Sequence, residues 1–433
     1  MATLKERLIA REEKEGPFRI GLVGAGQMGT GLISQMEKMH GVKIMAVADV
    51  VPNRSAEAYK EAGVNPNDVV WEEDDLQKAD ELIRSGKRVA SHSSEFLVNI
   101  PGLDGVVEST GIPNVGALIC MQAIEAGKPM INMNVETDAT IGYYLTQKAM
   151  EKGVIYTLVA GDEPGSIKEI YDFADALGFE IVTIGKGKNN PLDRTATPDT
   201  LKSRADSKDM SVKMLTSFVD GTKTMVEMTS VGNAVGFAPE VRGAYGPKCS
   251  VAELPKIFSP KSAGGIFENK GAVDYAVGPA PGVFVIITTD QPKIKKDLNY
   301  LGLSGHGDYW SLYRPYHLAN LETPITISHV MLDQAETLNH KIPPVCETIT
   351  VAKKDLQPGD AIDYLGGYTV YGMIEKASVA KDENLVPLGL SIGGKITKPV
   401  KMGEAVPYDA IELDEEKLIV KLRREQDNML ADA

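Results

Sequence analysis

The sequence predicts an α/β fold: a doubly wound parallel sheet first, an α+β middle domain next, and a small β-rich domain at the C-terminus. Three features predict it. A glycine-rich turn, Gly24-Ala25-Gly26-Gln27-Met28-Gly29, follows the apolar run Phe18–Val23 and opens a helical stretch. Apolar runs and helical stretches then alternate to about residue 160, as expected where helices cover both faces of a sheet. From Ile342 onward, short apolar runs are separated by Gly and Pro, which is turn chemistry between strands.

Within the first part, Leu4–Lys14 reads as an amphipathic helix ahead of the first strand. In the turn, Gly24 permits the tight bend, Gly26 leaves room for a pyrophosphate, and Gly29 lets helix and strand pack closely. The turn, with Gln27 and Met28, opens the helical segment Thr30–Met39, whose N-terminal free N–H groups suit phosphate. This is the Rossmann-like dinucleotide pattern, weighed against a purely structural turn. The next strand, Val42–Ala48, ends at Asp49, about twenty residues past the turn, where an acid bonds a ribose hydroxyl. Arg54 lies just beyond it and either clamps a 2′-phosphate or sits solvated in the first turn of a helix near Ser55–Ala62. Residue pattern alone leaves NAD and NADP balanced. A polar stretch Asp68–Asp80 and a short strand Val89–Ala90 precede strands that end at Ser109, Asn134 and Ala160. Those ends, with the adjacent Thr110 and Glu136, are expected to face the cofactor.

The middle part starts with a helix Ser166–Leu177 and a strand Glu180–Gly185, which enters a turn Lys186-Gly187-Lys188-Asn189-Asn190. A long polar loop is expected over Pro191–Asp209, and one long helix over Ser211–Gly236 with a core stripe Leu215, Phe218, Met225 and Met228. Residues 240–300 read as β-rich and end in the strand Val283–Thr289, and a helix over about 321–338 returns to the first domain. The expected boundaries are 1–160, 161–338 and 339–433. The last part carries strands Glu347–Val351, Ala361–Tyr364 and Tyr368–Tyr371.

At 433 residues and a net charge of −14, the chain is large enough for several cores and lacks the basic surface that nucleic-acid binding needs. Three scattered cysteines, Cys120, Cys249 and Cys346, give no disulfide framework and fit a reducing cytoplasm. No long apolar run or signal-type N-terminus is present, so the expectation is a cytoplasmic protein with no membrane partner. A symmetric homodimer, paired through the middle β-rich part, is the expected assembly.

Several side chains carry chemistry. Lys186 and Lys188 could polarise a substrate oxygen or bind phosphate, with Asn189 and Asn190 bonding hydroxyls; the bland reading is an exposed basic turn. Lys213, Asp220 and Lys223 would share one helix face, for proton transfer or as a surface ion-pair row. Arg314 and His317 stand among Tyr309, Tyr313 and Tyr316, a setting for an anion clamp and a proton carrier. Asp162 and Glu163 could hold Mg²⁺ or Mn²⁺ or cap the following helix, and capping is the preferred reading. Ser166 could meet an anion at that same helix start. The histidines show no zinc spacing.

Gly24–Gly29, Glu108-Ser109-Thr110-Gly111 and Asn132-Met133-Asn134-Val135-Glu136 resemble homoserine-dehydrogenase-like oxidoreductases. Ala352–Asp360 resembles a SAF-type module. With Tyr313-Arg314-Pro315-Tyr316-His317-Leu318, the whole layout is similar to the 1-deoxy-D-xylulose 5-phosphate reductoisomerase-like (DRL) group. The resemblance implies rearrangement of a ketose skeleton and then reduction by NADPH, giving 2-C-methyl-D-erythritol 4-phosphate, an isoprenoid precursor. It favours NADP(H) over NAD and a phosphorylated sugar held by Arg314, Tyr316 and Ser166. It places an acid and a lysine in the Lys213–Lys223 region. The Asn-Gly-Thr-x-Asn-Tyr run of homoserine dehydrogenases is absent, with Lys186–Asn190 in its place, which argues against homoserine as substrate. A related oxidoisomerase acting on a sugar acid, and a non-catalytic sugar- or nucleotide-binding protein, are the alternatives.

Overall fold

The computed structural model describes residues 2–208 and 210–431. They divide into two compact units, one formed by residues 1–165 with 318–341 and the other by 166–317 with 342–433.

In the first unit the apolar runs become seven strands: β1 (Phe18–Val23), β2 (Val42–Ala48), β3 (Val69–Trp71), β4 (Arg88–Ser91), β5 (Gly105–Glu108), β6 (Met130–Asn132) and β7 (Tyr156–Leu158). All pair in parallel, in the order β3-β4-β2-β1-β5-β6-β7. The α/β expectation holds, and the order reverses between β1 and β5, the place where such sheets take ligands. Ile20, Leu22, Ile44, Val47 and Val107 are fully buried against Leu32, Ile33 and Met36 of the helix Gln27–Glu37. Each such side chain contributes about 1.5–3 kcal/mol through burial. Ile327 and Val330, on the helix Ala319–Asp333, complete that core.

The N-terminal helix spans Leu4–Glu15, started by a reciprocal Thr3–Glu6 capping box. The stretch Asp68–Asp80, expected to be merely polar, holds the edge strand β3 and the start of a helix, Leu76–Arg84. Asp75 caps that helix by accepting from the N–H groups of Gln77 and Lys78. An edge strand of three residues is too short for alternation to announce it.

The second unit is built on a mixed sheet: β8 (Glu180–Lys188), β9 (Ala272–Val277), β10 (Val283–Thr288), β11 (Gly305–His306) and β12 (Tyr309–Arg314), ordered β11-β12-β10-β8-β9. A further pair, β13 (Cys346–Ala352) and β14 (Val370–Lys376), is antiparallel. Five expectations need correction here. The strand β8 does not stop at Gly185; it continues through Lys188, so both lysines are strand residues and not part of a turn. The expected loop Pro191–Asp209 contains the helix Pro198–Asp206, closed by a Thr197–Thr200 capping box; Asp209 itself lies outside the described residues. The expected helix Ser211–Gly236 is two helices, Val212–Val219 and Thr222–Val235, separated where Gly221 takes a φ of +92°. Residues 240–300 hold only β9 and β10 as strands, with short helical turns before them and the helix Pro292–Tyr300 after them. In the tail, Ala361–Tyr364 forms no strand, and a helix Leu418–Ala431 ends the described chain. Among the described residues no helix is long and apolar enough to cross a membrane.

Candidate functional site

The glycine turn in the first unit has the geometry its sequence implies. Gly24 has a φ of +97°, a left-handed conformation that glycine adopts without a Cβ penalty. A Cβ on Gly29 would lie 2.1 Å from the Gly24 carbonyl oxygen, whereas one on Gly26 would meet nothing within 4 Å. Gly29 is therefore demanded by the fold, and Gly26 by whatever occupies the open space beside it. Gly26 and Gln27 are exposed at the start of the helix and Met28 is half-buried, so the free N–H groups of that terminus face outward. This cradle fits a dinucleotide pyrophosphate.

Asp49 follows β2 and reaches the turn: its Oδ2 accepts from the Ala25 N–H at 2.7 Å and its Oδ1 from the Val51 N–H at 2.9 Å. Arg54 departs from the phosphate clamp considered above. Its Nε donates to the Ala25 carbonyl at 2.7 Å, and its other nitrogens to Thr30 Oγ1 at 2.9 Å and Glu61 Oε1 at 2.6 Å. The guanidinium thus braces the turn from behind. Ser109 is likewise turned inward, its hydroxyl donating to the Gly24 carbonyl at 2.7 Å. Asn134 is fully buried and caps the helix Val135–Lys152 by accepting from the Thr137 N–H at 3.1 Å. Glu136 lies in the first turn of that helix. The N–H of Ala160, just beyond β7, donates to Thr326 Oγ1 at 2.8 Å. Ser109, Asn134, Ala160 and Arg54 thus hold the strand ends and the turn in place rather than presenting their polar atoms outward.

In the second unit the sheet aligns a row of functional groups. Val283 on β10 is paired with Lys186 on β8 and with Arg314 on β12, and Lys186 is paired with Tyr275 on β9. Residues paired in register present their side chains on one face, and strands lie about 4.8 Å apart. Lys186 and Arg314 are therefore on the same face, one strand between them, with Lys188 two residues along. Gly185 and Tyr313, out of phase with that row, face the opposite layer, where Phe258, Phe267 and Phe284 form an apolar core.

Lys186 and Lys188 are only 6% and 4% exposed, which excludes the exposed basic turn. The Lys186 Nζ donates to Glu227 on the helix Thr222–Val235, and Lys223, one turn earlier, approaches the same carboxylate at 4.0 Å. The Lys188 Nζ donates to the Phe218 carbonyl. Burial, and then the neighbouring Lys186 charge, push the Lys188 ammonium down to about 8. Asn190 is buried and accepts from Arg204 while donating to Asn189 Oδ1 at 2.8 Å.

Arg314 gathers the expected substrate-binding residues. Its Nη1 donates to Ser166 Oγ at 3.3 Å and to Glu169 Oε2 at 2.9 Å, and its guanidinium lies 4.5 Å from the Tyr316 ring centroid. His317 follows in the same coil segment and is half-buried. Glu163 opens the helix Glu163–Ala176 and is buried in its first turn, where the helix dipole favours a carboxylate.

Two expected members leave the site. Lys213, Asp220 and Lys223 do not form one row, because the first helix ends at Asp220 and Lys223 lies on the next. Asp220 Oδ2 accepts from Lys353 Nζ at 2.7 Å in a fully buried pair, and its Oδ1 accepts from the Thr222 N–H at 2.9 Å. Lys213 is exposed, its ammonium 3.9 Å from the Tyr364 ring centroid. Sequence reasoning missed Glu227, whose signal was an acidic residue inside the Met225–Met228 stripe. It also missed Lys353, which no local pattern singles out.

Residues 161–323 match the family model for the catalytic domain of oxidoreductase DRL. No curated protein matches the chain. Among solved structures, a probable dehydrogenase from Thermotoga maritima is similar at 14% identity and a TM-score of 0.41, over 73% of this chain and 90% of its own. The scyllo-inositol dehydrogenase of Lactobacillus casei with NAD(H) and scyllo-inositol matches at 16% identity and a TM-score of 0.37, over 69% and 76%. Biliverdin reductase from Synechocystis with biliverdin and NADP+ matches at 17% identity and 0.28, over 41% and 49%. Likenesses this loose fix no activity. The sheet, the glycine cradle and the family match agree at the level of an oxidoreductase built on a dinucleotide-type fold.

Proposed function

We propose that the protein is an NADP(H)-dependent reductoisomerase that converts 1-deoxy-D-xylulose 5-phosphate to 2-C-methyl-D-erythritol 4-phosphate. The observation that carries the reading is the row on one face of the second unit's sheet. It places a buried lysine pair and a stacked arginine on strands β8 and β12, either side of β10, inside the segment that matches an oxidoreductase catalytic domain. Arg314, backed by Tyr316 and Ser166, suits an anionic group. Lys186, paired with Glu227, stabilises an oxygen on which negative charge develops. Lys188, with its proton affinity near 8, gives a proton to that oxygen as the alcohol forms and takes it back in the reverse direction. Asn190, tied to Arg204, positions a hydroxyl. In the first unit the Gly24–Gly29 cradle and Asp49 would hold the dinucleotide, which when bound supplies the hydride.

The choice of NADP rests on the family resemblance. Asp49 favours a free ribose 2′-hydroxyl and Arg54 is already engaged, so NAD competes in the same experiment. The enzyme is mixed with NADPH, 1-deoxy-D-xylulose 5-phosphate and Mn²⁺ or Mg²⁺, and nicotinamide absorbance is followed. Oxidation of NADPH with formation of the branched tetrol phosphate supports the reading. Absence of turnover overturns this substrate.

One observation favours a second reading. Arg314 is a single planar fork, whereas a phosphate is best met by several donors. A sugar-acid carboxylate suits that fork, and the same assay run with sugar acids and NAD⁺ or NADP⁺ separates the two. Dinucleotide binding with no turnover on either class would leave a binding protein.

A further inference from the structure

Behind the turn in the first unit lies a buried carboxyl that the proposed chemistry does not use. Glu108 is the last residue of β5, next to the place where the strand order reverses, and it is fully buried. Its Oε1 accepts from the Thr110 N–H at 2.8 Å and from the Thr110 hydroxyl. Its Oε2 is buried with no hydrogen-bond partner. A buried carboxylate with one oxygen lacking a partner at hydrogen-bond distance is costly to ionise, and protonation removes the charge.

The surroundings add to the bias. Glu136, from the helix Val135–Lys152, raises the Glu108 carboxyl further, and Cys120, from the helix Pro113–Glu125, feels both Glu108 and Asp138. None of them offers a positive charge, and the Asn134 amide and Thr110 are the groups that favour ionisation. Burial dominates and raises the Glu108 carboxyl to about 7. Asp138 is itself committed to His340 at 2.7 Å and to the Tyr156 hydroxyl at 2.9 Å.

Asp49 marks the adenosine side of the reversal point, so a dinucleotide lying across it would bring its nicotinamide to the side of β5 and β6. The ring is cationic when oxidised and neutral when reduced. We infer that Glu108 is a charge-compensating group, which releases its proton when the oxidised cofactor binds and keeps it when the reduced cofactor binds. The O–H bond of Glu108 breaks, the electron pair stays on the carboxylate, and the proton passes to solvent past the half-buried Thr110. This rests on the dinucleotide reading of the first unit.

The test is proton release into weakly buffered solution containing a pH indicator, at pH 7, on adding NADP⁺ or NADPH. NAD⁺ and NADH serve as the second pair, and calorimetry measures binding in parallel. The two redox forms carry the same phosphates, so their difference isolates the ring charge. At a pH equal to the group's own affinity, release of up to about half a proton per chain is expected with the oxidised form only. Glu108→Gln should bind the cofactor and lose that difference. Binding of both forms with equal proton release by the native protein overturns the inference alone. Binding of neither overturns the dinucleotide reading and the inference with it. A redox-dependent release that persists in Glu108→Gln also overturns it.

Discussion

Lys188 concentrates the residue-scale argument. An ordinary lysine gives up its proton at about 10.4, and burial beside Lys186 brings this one to about 8. Carbonyl reduction needs its protonated form, so the reduction rate should fall as pH rises through about 8, and the reverse oxidation should rise over the same range. Lys188→Met should lower kcat by about 10²–10⁴-fold and flatten that limb; pH profiles of kcat for both proteins check it. Stability follows from the same shift. Between pH 8 and about 10 the unfolded chain holds a proton that the folded chain has released, so stability should rise with pH across that window. Below it the penalty of the buried charge is fully present and constant. A series of urea melts from pH 7 to 10 on native and Lys188→Met protein isolates the contribution, which the variant should lack.

At the scale of elements, the glycine turn separates two roles that look alike in the sequence. Gly29→Ala places a methyl against the Gly24 carbonyl, so it should destabilise the first unit by about 1–3 kcal/mol and weaken dinucleotide binding as a consequence. Gly26→Ala meets open space, so its melting temperature should stay near native while binding falls at least tenfold. Calorimetric melts with and without NADP⁺ read both. The turn, the strand β2 and Asp49 were legible in sequence because their signals are local: fixed spacings, a strand, a bend and a helix start. The fate of Lys186-Gly187-Lys188 was not. Lysine is rare inside strands, and what lets β8 run on is a carboxylate supplied from a distant helix, Glu227. The break at Asp220-Gly221 was hidden for a related reason. The apolar stripe Leu215–Met228 keeps helical spacing across it, and only Gly221 hinted at a change of direction. Arg54 and Ser109 were placed correctly beside the turn, but sequence could not say that their polar atoms point into it.

At the scale of the whole molecule, the second unit is assembled from two stretches of chain, Ser166–His317 and Ile342–Ala433. Buried polar contacts join them. Asn233 accepts from the Val345 N–H at 2.8 Å and the Cys346 N–H at 2.7 Å, and Thr348 bonds Thr229 at 2.8 Å. Lys353 adds a charged join, donating across to Asp220 at 2.7 Å and to the Ala196 carbonyl at 2.9 Å, and within its own stretch to the Gly367 carbonyl at 2.8 Å. This is why the acid that sequence reasoning assigned to proton transfer is better understood as a fastening. Removing either partner leaves an uncompensated buried charge, so Asp220→Ala and Lys353→Met should each cost about 3–5 kcal/mol. The double variant should cost less than the sum, because both charges are gone and only the Thr222 N–H and two carbonyls lose their bonds, at about 1–3 kcal/mol each. Urea unfolding of the native protein, both single variants and the double variant closes that cycle. A catalytic Asp220 predicts a different pattern: the conservative Asp220→Asn variant would keep native stability and lose turnover. A fastening predicts that Asp220→Asn loses stability, and that the turnover remaining per folded molecule, measured well below the melting temperature, stays within a few-fold of native.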